Sequence, residues 1–183
     1  NKALQVMSYV WIAQNAILAL SVGIRNWRYV EHCGMAYKRI GVFIFLILVF
    51  YGLYTMYQKV SEKKSFYFLL HRNSWAMYAV LVLATFVNWD VAITKYNLTA
   101  KTANPIDVPF LTRTVSTKNL YLLLEYQDVL AEQGDKTPKE VKALLNGKII
   151  RFNIEQEGLS FWSWNYADAR NRRYLETIKK NKN

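Results

Sequence analysis

Cysteine is almost absent: Cys33 is the only one in 183 residues. A lone cysteine cannot form an intrachain disulfide, which excludes a disulfide-stapled scaffold. The seven glycines stand singly, so there is no glycine-rich loop to cradle a phosphate. Acidic residues are scarce, 13 against 24 Lys and Arg. With 52% hydrophobic and 15% aromatic residues, the chain is too apolar to stay disordered. The most telling lack is of charge over long stretches. No charged residue occurs in 3–24, a run of 22, in 40–58, a run of 19, or in 73–89, a run of 17.

A helix needs about 20 mostly apolar residues to cross about 30 Å of hydrocarbon. The first two runs reach that length. The third reaches it by including Asp90 and Val91–Ile93, with Asp90 near enough to the end to touch headgroups. The runs predict transmembrane spans at about 3–24, 40–58 and 73–93. The core of the second, 41–50, is apolar on every face, which is unusual for a soluble helix. Aromatic residues flank the runs as interface anchors do: Trp27 and Tyr29, then Tyr57, then Trp75 and Trp89. A mean hydropathy of −0.03 therefore averages two unlike parts. Residues 1–94 carry nine basic and three acidic side chains, and 95–183 carry fifteen and ten.

Polar residues in the first run fall on two sides of the helix, Gln5, Ser8 and Asn15 on one, Gln14 and Ser21 on the other. They predict contact with more helices than these three. The start, Asn1-Lys2, lacks the leader of a signal peptide. The expectation is the C-terminal piece of a longer polytopic protein, with upstream transmembrane helices as partners. Three spans leave 25–39 and the tail on one side. Counting Lys and Arg near the membrane gives seven there and five on the other side, which predicts a cytoplasmic tail.

The fold class expected is mainly α: a transmembrane region over 1–94, a polar connector over 95–115, and a small, mostly helical tail over 116–183. Pro105 and Pro109 break helix in the connector. A helix is expected from Ser116 or Thr117 to about Glu132, stopped by Gly134. Thr137-Pro138-Lys139-Glu140 has the form of a capping box and predicts a second helix. Residues 149–154 fit either its continuation, which is favoured, or a short strand. Asn165 with Asp168 starts a last, basic helix. The aromatic group Phe161, Trp162 and Trp164 before it fits a small helical core or an anionic membrane surface.

Chemistry-bearing patterns are few. Glu31, His32 and Cys33 are adjacent, but the only other imidazole, His71, falls across the membrane in this topology, so neither a metal nor any other cofactor is expected. No nucleophile elbow is present. The basic tail has no nucleic-acid-binding motif, and nucleic acid is not an expected partner. The candidate polar cluster is interfacial: Arg39, Asp90, Asn88, Asn97, Asp107 and His32, with Gly34 as a positive-φ turn. Arg39 can reach headgroup phosphates or pair with Asp90. Asn88 and Asn97 can cap the chain where the third span ends.

Two of these stretches, Tyr29-Val-Glu-His-Cys-Gly34-Met-Ala-Tyr-Lys-Arg39 and Asn88-Trp-Asp90-Val-Ala-Ile-Thr-Lys-Tyr-Asn97, are followed by Asp107-Val-Pro-Phe-Leu111. Together they resemble the C-terminal part of an uncharacterised family of bacterial polytopic membrane proteins, domain of unknown function four-one-seven-three, with its relative four-one-five-three. Met35, Ala36 and Phe110 depart from the pattern, in which Leu, Thr and Tyr stand. The resemblance covers about 5–125 and, more weakly, 162–175. It implies further spans upstream and a bacterial cytoplasmic membrane, and brings no activity. A structural, regulatory or sensory membrane component is the first expectation, with the lipid bilayer and a protein partner of the tail. An envelope enzyme acting on a lipid-linked substrate, or a transporter subunit, is the alternative.

Overall fold

The computed structural model describes residues 2–100, 102–158, 163 and 165–180. Among them every regular element is helical, and the one β-type contact is an isolated parallel bridge between Ile106 and Gly134. The chain forms two compact units. One comprises Asn1–Glu31 and Ala36–Val87, the other His32–Met35 and Asn88–Asn183.

The first unit holds α1 (Lys2–Cys33), α2 (Tyr37–Ser61) and α3 (Phe66–Thr85). Both α1 and α2 are long and apolar enough to cross a membrane, and a third crossing is added if α3 and the next helix count as one broken span. At 1.5 Å per residue, α2 is about 37 Å long and α3 about 30 Å. Their large apolar side chains point outward: Met7, Ile17 and Ile24 on α1, Phe45 and Ile47 on α2, and Leu83 on α3 are exposed. Only Ala19, Asn26, Val30, Leu46 and Thr55 are buried in these three helices.

The helices are tied by a few polar contacts. Thr55 Oγ1 reaches Asn73 Oδ1 of α3 at 3.2 Å and donates to the Gly52 carbonyl at 2.9 Å. Gln5 Nε2 of α1 donates to the Val60 carbonyl of α2, and Asn26 Nδ2 to that of Arg39. Ser8 and Asn15, expected to look for other helices, instead donate to the carbonyls of Leu4 and Trp11 one turn back. A helix can satisfy such side chains internally, so they do not by themselves demand neighbours.

The stretch expected as a third span, 73–93, is not one continuous helix. Ser65 caps α3 through Phe68 N–H, so the helix starts earlier, and it ends at Thr85. After a break at 86–88, a separate helix α4 (Trp89–Thr99) begins with Asn88 as its cap. An Asn side chain offers the orphan N–H groups of a helix start an acceptor, which favours a new start over continuation.

The second unit continues from α4 through a single π-turn (Phe110–Thr114) and a 3-10 turn (Thr117–Asn119). Then come α5 (Leu120–Glu125), α6 (Gln127–Gln133), α7 (Pro138–Glu157) and α8 (Tyr166–Lys180). Residues 105–115 are not a bare connector. Ile106, Val108, Leu111 and Val115 are buried with Leu98, Leu123, Leu130, Val141 and Leu145 in one core. Burial of each such side chain contributes about 1.5–3 kcal/mol, enough to hold the segment in place. The expected helix to Glu132 is divided at Tyr126. A Cβ on Gly134 would collide with the Leu130 carbonyl and with Val108, so this closure tolerates only glycine. The capping box at Thr137 and Glu140 is present, and α7 runs unbroken through 149–154 as helix. Asn165 Oδ1 accepts from Asp168 N–H at the start of α8. Phe161, Trp162 and Trp164 lie outside the described residues.

Candidate functional site

The polar residues singled out by sequence are divided between the two units. Arg39 sits in α2, in the first unit. Asp90, Asn88, Asn97, Asp107 and His32 belong to the second.

Asn97 makes the most specific arrangement. It is buried near the end of α4, facing the short segment His32–Met35 that belongs to the same unit. Its Oδ1 accepts from Met35 N–H at 2.5 Å, and its Nδ2 donates to the Met35 carbonyl at 2.9 Å. One amide thus pairs with both polar groups of one backbone residue, as a neighbouring strand would. Gly34 makes this possible. Its φ is +74°, and a Cβ there would stand 2.5 Å from Asn97 Oδ1. The positive-φ turn expected at Gly34 is therefore present, and it also admits the close approach of the amide. Asn104 completes the clasp, its N–H donating to the His32 carbonyl at 3.0 Å and its Nδ2 to Cys33 Sγ at 3.5 Å.

Three other polar positions, Asn88, Asp90 and Asp107, stand at the starts of their own turns. Asn88 Oδ1 accepts from Val91 N–H at 3.3 Å. Asp107 Oδ1 accepts from Phe110 N–H at 2.8 Å at the start of the π-turn, and Asp135 Oδ1 accepts from the neighbouring Val108 N–H. Asp90 lies in the first turn of α4, where a carboxylate complements the helix dipole. The motif Asn88…Asp90…Ile93…Asn97 is thus legible as one helix: cap, dipole partner, fully buried core residue and loop clasp.

The interface aromatics are outward-facing in the first unit. Trp27, Tyr29, Tyr57 and Trp75 are exposed. Trp27 Nε1 donates to Glu31 Oε1, and Trp75 Nε1 to His71 Nε2. Trp89 opens α4 in the second unit.

A second polar centre was missed by sequence reading. Lys148 on α7 is only 2% exposed. Its Nζ donates to the carbonyls of Leu111 at 2.8 Å and Val115 at 3.0 Å, at the π-turn. Burial, reinforced by the nearby Arg151 charge, lowers its pKa from 10.5 to about 7, although Asp90 and Glu155 pull the other way. Arg151 adds donors to the carbonyls of Arg113 and Val115. Asn119, fully buried, donates to Thr94 Oγ1 at 2.7 Å and the Leu111 carbonyl at 3.2 Å. Asn171 of α8 accepts from Tyr121 N–H and donates to the Thr117 carbonyl. These side chains pair with the carbonyls of Leu111, Arg113, Val115 and Thr117 and with Tyr121 N–H, in irregular backbone that ordinary helix ladders do not serve. A signal for Lys148 was there: with Val141, Leu145 and Phe152 it occupies the buried stripe of α7.

Chemically, this centre is a buried hydrogen-bond network in which, among the described residues, Asn119 Oδ1 alone of its amide atoms has no bond. Among the described residues, no group of three His, Cys, Asp or Glu side chains is close enough to hold a metal ion. No curated protein and no solved structure matches the chain. A family model, Domain of unknown function (DUF4153), matches residues 1–126, which span the whole first unit and the Asn88–Asn97 helix. The chain therefore belongs to the DUF4153 family.

Proposed function

We propose that the chain is a membrane-embedded part of a polytopic protein, carrying a helical domain at the membrane surface. Its role is that of a structural, regulatory or sensory membrane component, with the second unit as the module that meets a partner. The observation that carries the reading is the outward apolar surface of α1 and α2, two helices of spanning length with almost nothing buried. In water such a surface would be strongly unfavourable; in hydrocarbon it costs nothing.

The clasp supports three crossings. Residues 32–35 and 88–180 form one unit, which supports placing both on one face of the membrane. If α2 crosses once, α3 must bring the chain back, and its length of about 30 Å is what a crossing needs. Arg72, in the second turn of α3, can lean its guanidinium toward the headgroups. We assign the membrane as the bacterial cytoplasmic membrane on the family resemblance, and the second unit to the cytoplasm on the excess of seven to five basic residues. Arg39, at the start of α2 on that same face, then reaches headgroup phosphates.

The test is extraction. After expression, the full chain is expected to stay in the membrane pellet through alkaline carbonate and to be released only by detergent. Release by carbonate alone would refute integral insertion.

A further inference from the structure

We infer that one face of α8 is a docking strip for the anionic surface of a bilayer; this rests on the membrane reading above. At 100° per residue, Tyr166, Arg170, Arg173, Thr177 and Lys180 fall within about 40° of one line along the helix. Tyr166, Arg170, Arg173 and Lys180 are all exposed. The two acidic residues of α8, Asp168 and Glu176, lie off this line, and the core residues Ala167 and Asn171 lie well to one side of it. The strip is therefore cationic over about 15 Å, from Arg170 to Lys180, with no carboxylate in it.

Two further observations shape it. Arg170 is held in place, its guanidinium 4.0 Å from the Tyr121 ring centroid, so its charge is presented at little entropic cost. Arg172, on a different line, is engaged by Gln156 Oε1 and does not belong to the strip. Between Tyr166, Ala169, Arg170 and Arg173 lies an open concavity of about 400 Å³, large enough for a phosphate headgroup. A phenol beside two guanidiniums suits the phosphodiester of an anionic lipid. Charge complementarity commits the strip to lipid, since the same chain carries helices long and apolar enough to cross a bilayer. Each basic residue near an anionic surface strengthens docking by about fivefold, and tethering makes even three such charges effective.

The experiment uses the full chain in liposomes of phosphatidylcholine alone or with phosphatidylglycerol. Thr177→Cys, in a Cys33→Ser background, carries an environment-sensitive fluorophore. Docking predicts a blue shift only with phosphatidylglycerol, reversed by high salt. Arg173→Gln with Lys180→Gln leaves the Arg170 stack intact and should weaken docking by about 30-fold. Circular dichroism of this variant checks that it folds. An inserted chain whose probe responds equally in both lipids, or whose response survives the double substitution, overturns the inference. A chain that fails to insert overturns the membrane reading and this inference together.

Discussion

Lys148 offers the sharpest prediction. Replacing it with methionine keeps the stem's volume and removes the buried charge. The two carbonyls it serves keep other donors: Asn119 Nδ2 on Leu111 and Arg151 on Val115. The hydrogen bonds lost cost about 1–2 kcal/mol together. Against this stands the cost of charging a buried amine. Its folded pKa is lowered to about 7 from an unfolded 10.5. Between these values the unfolded state binds more protons, so stability rises with pH across the window and is lost as pH falls toward 7. Below about 7 both states are protonated and the penalty is flat, at about 4–5 kcal/mol from 1.36 kcal/mol per unit. The wild type should lose about 2 kcal/mol between pH 9 and pH 7 through this group. Lys148→Met should lose that slope and be more stable than the wild type near pH 7. Tyr121 and Tyr174 have phenol pKa values raised by burial, so they stay protonated in this range. Urea titrations of the detergent-solubilised chain, followed by tryptophan emission at several pH values, measure the difference. An unchanged slope in the variant, or a destabilisation of several kcal/mol at every pH, would refute the reasoning.

Three further outcomes are expected. Asn97→Ala removes both bonds to Met35 and should cost about 2–3 kcal/mol, seen as faster hydrogen exchange at Met35 than in the wild type. Gly34→Ala should be disruptive through both its positive φ and the collision with Asn97, and adding Asn97→Ala should restore part of the loss, a non-additivity read by a double-mutant cycle in urea. Thr137→Ala removes the cap of α7 and should cost about 1 kcal/mol, read as a lower urea midpoint with an unchanged slope.

How much of this was legible beforehand depended on how local the signal was. The capping box at Thr137 and Glu140 and the Asn165–Asp168 start were readable because four consecutive residues carry the whole geometry. The spans of α1 and α2 were readable because a long charge-free run has few other uses. The turn at Gly34 was expected, but its pairing with Asn97 spans 62 residues of sequence and has no periodicity to betray it. The break inside 73–93 was not legible because hydrophobicity continues past Thr85, where α3 ends, before Asn88 caps the next helix. Residues 95–115 looked like a connector because Pro105 and Pro109 break every regular pattern in its second half. Their Ile106, Val108, Leu111 and Val115 fill the core through irregular backbone, and that backbone is held by Lys148, Arg151 and Asn119 from elsewhere in the unit. Lys148 stood in an apolar stripe, and a charged residue there is ordinarily read as an interruption rather than as a partner for buried carbonyls.

The central claim is that α1, α2 and α3 each cross a bilayer with the 32–35 turn and the second unit on one face. The most direct measurement is a depth scan of the full chain in liposomes, with single spin labels placed along the three helices and their relaxation compared in oxygen and in a polar nickel chelate. The account predicts a maximum of oxygen over chelate accessibility near Phe45 and Ile47 on α2, a second near Tyr78–Val80 on α3, and high chelate accessibility at Lys63. Chelate accessibility throughout α3, or an oxygen maximum in the second unit, would contradict it.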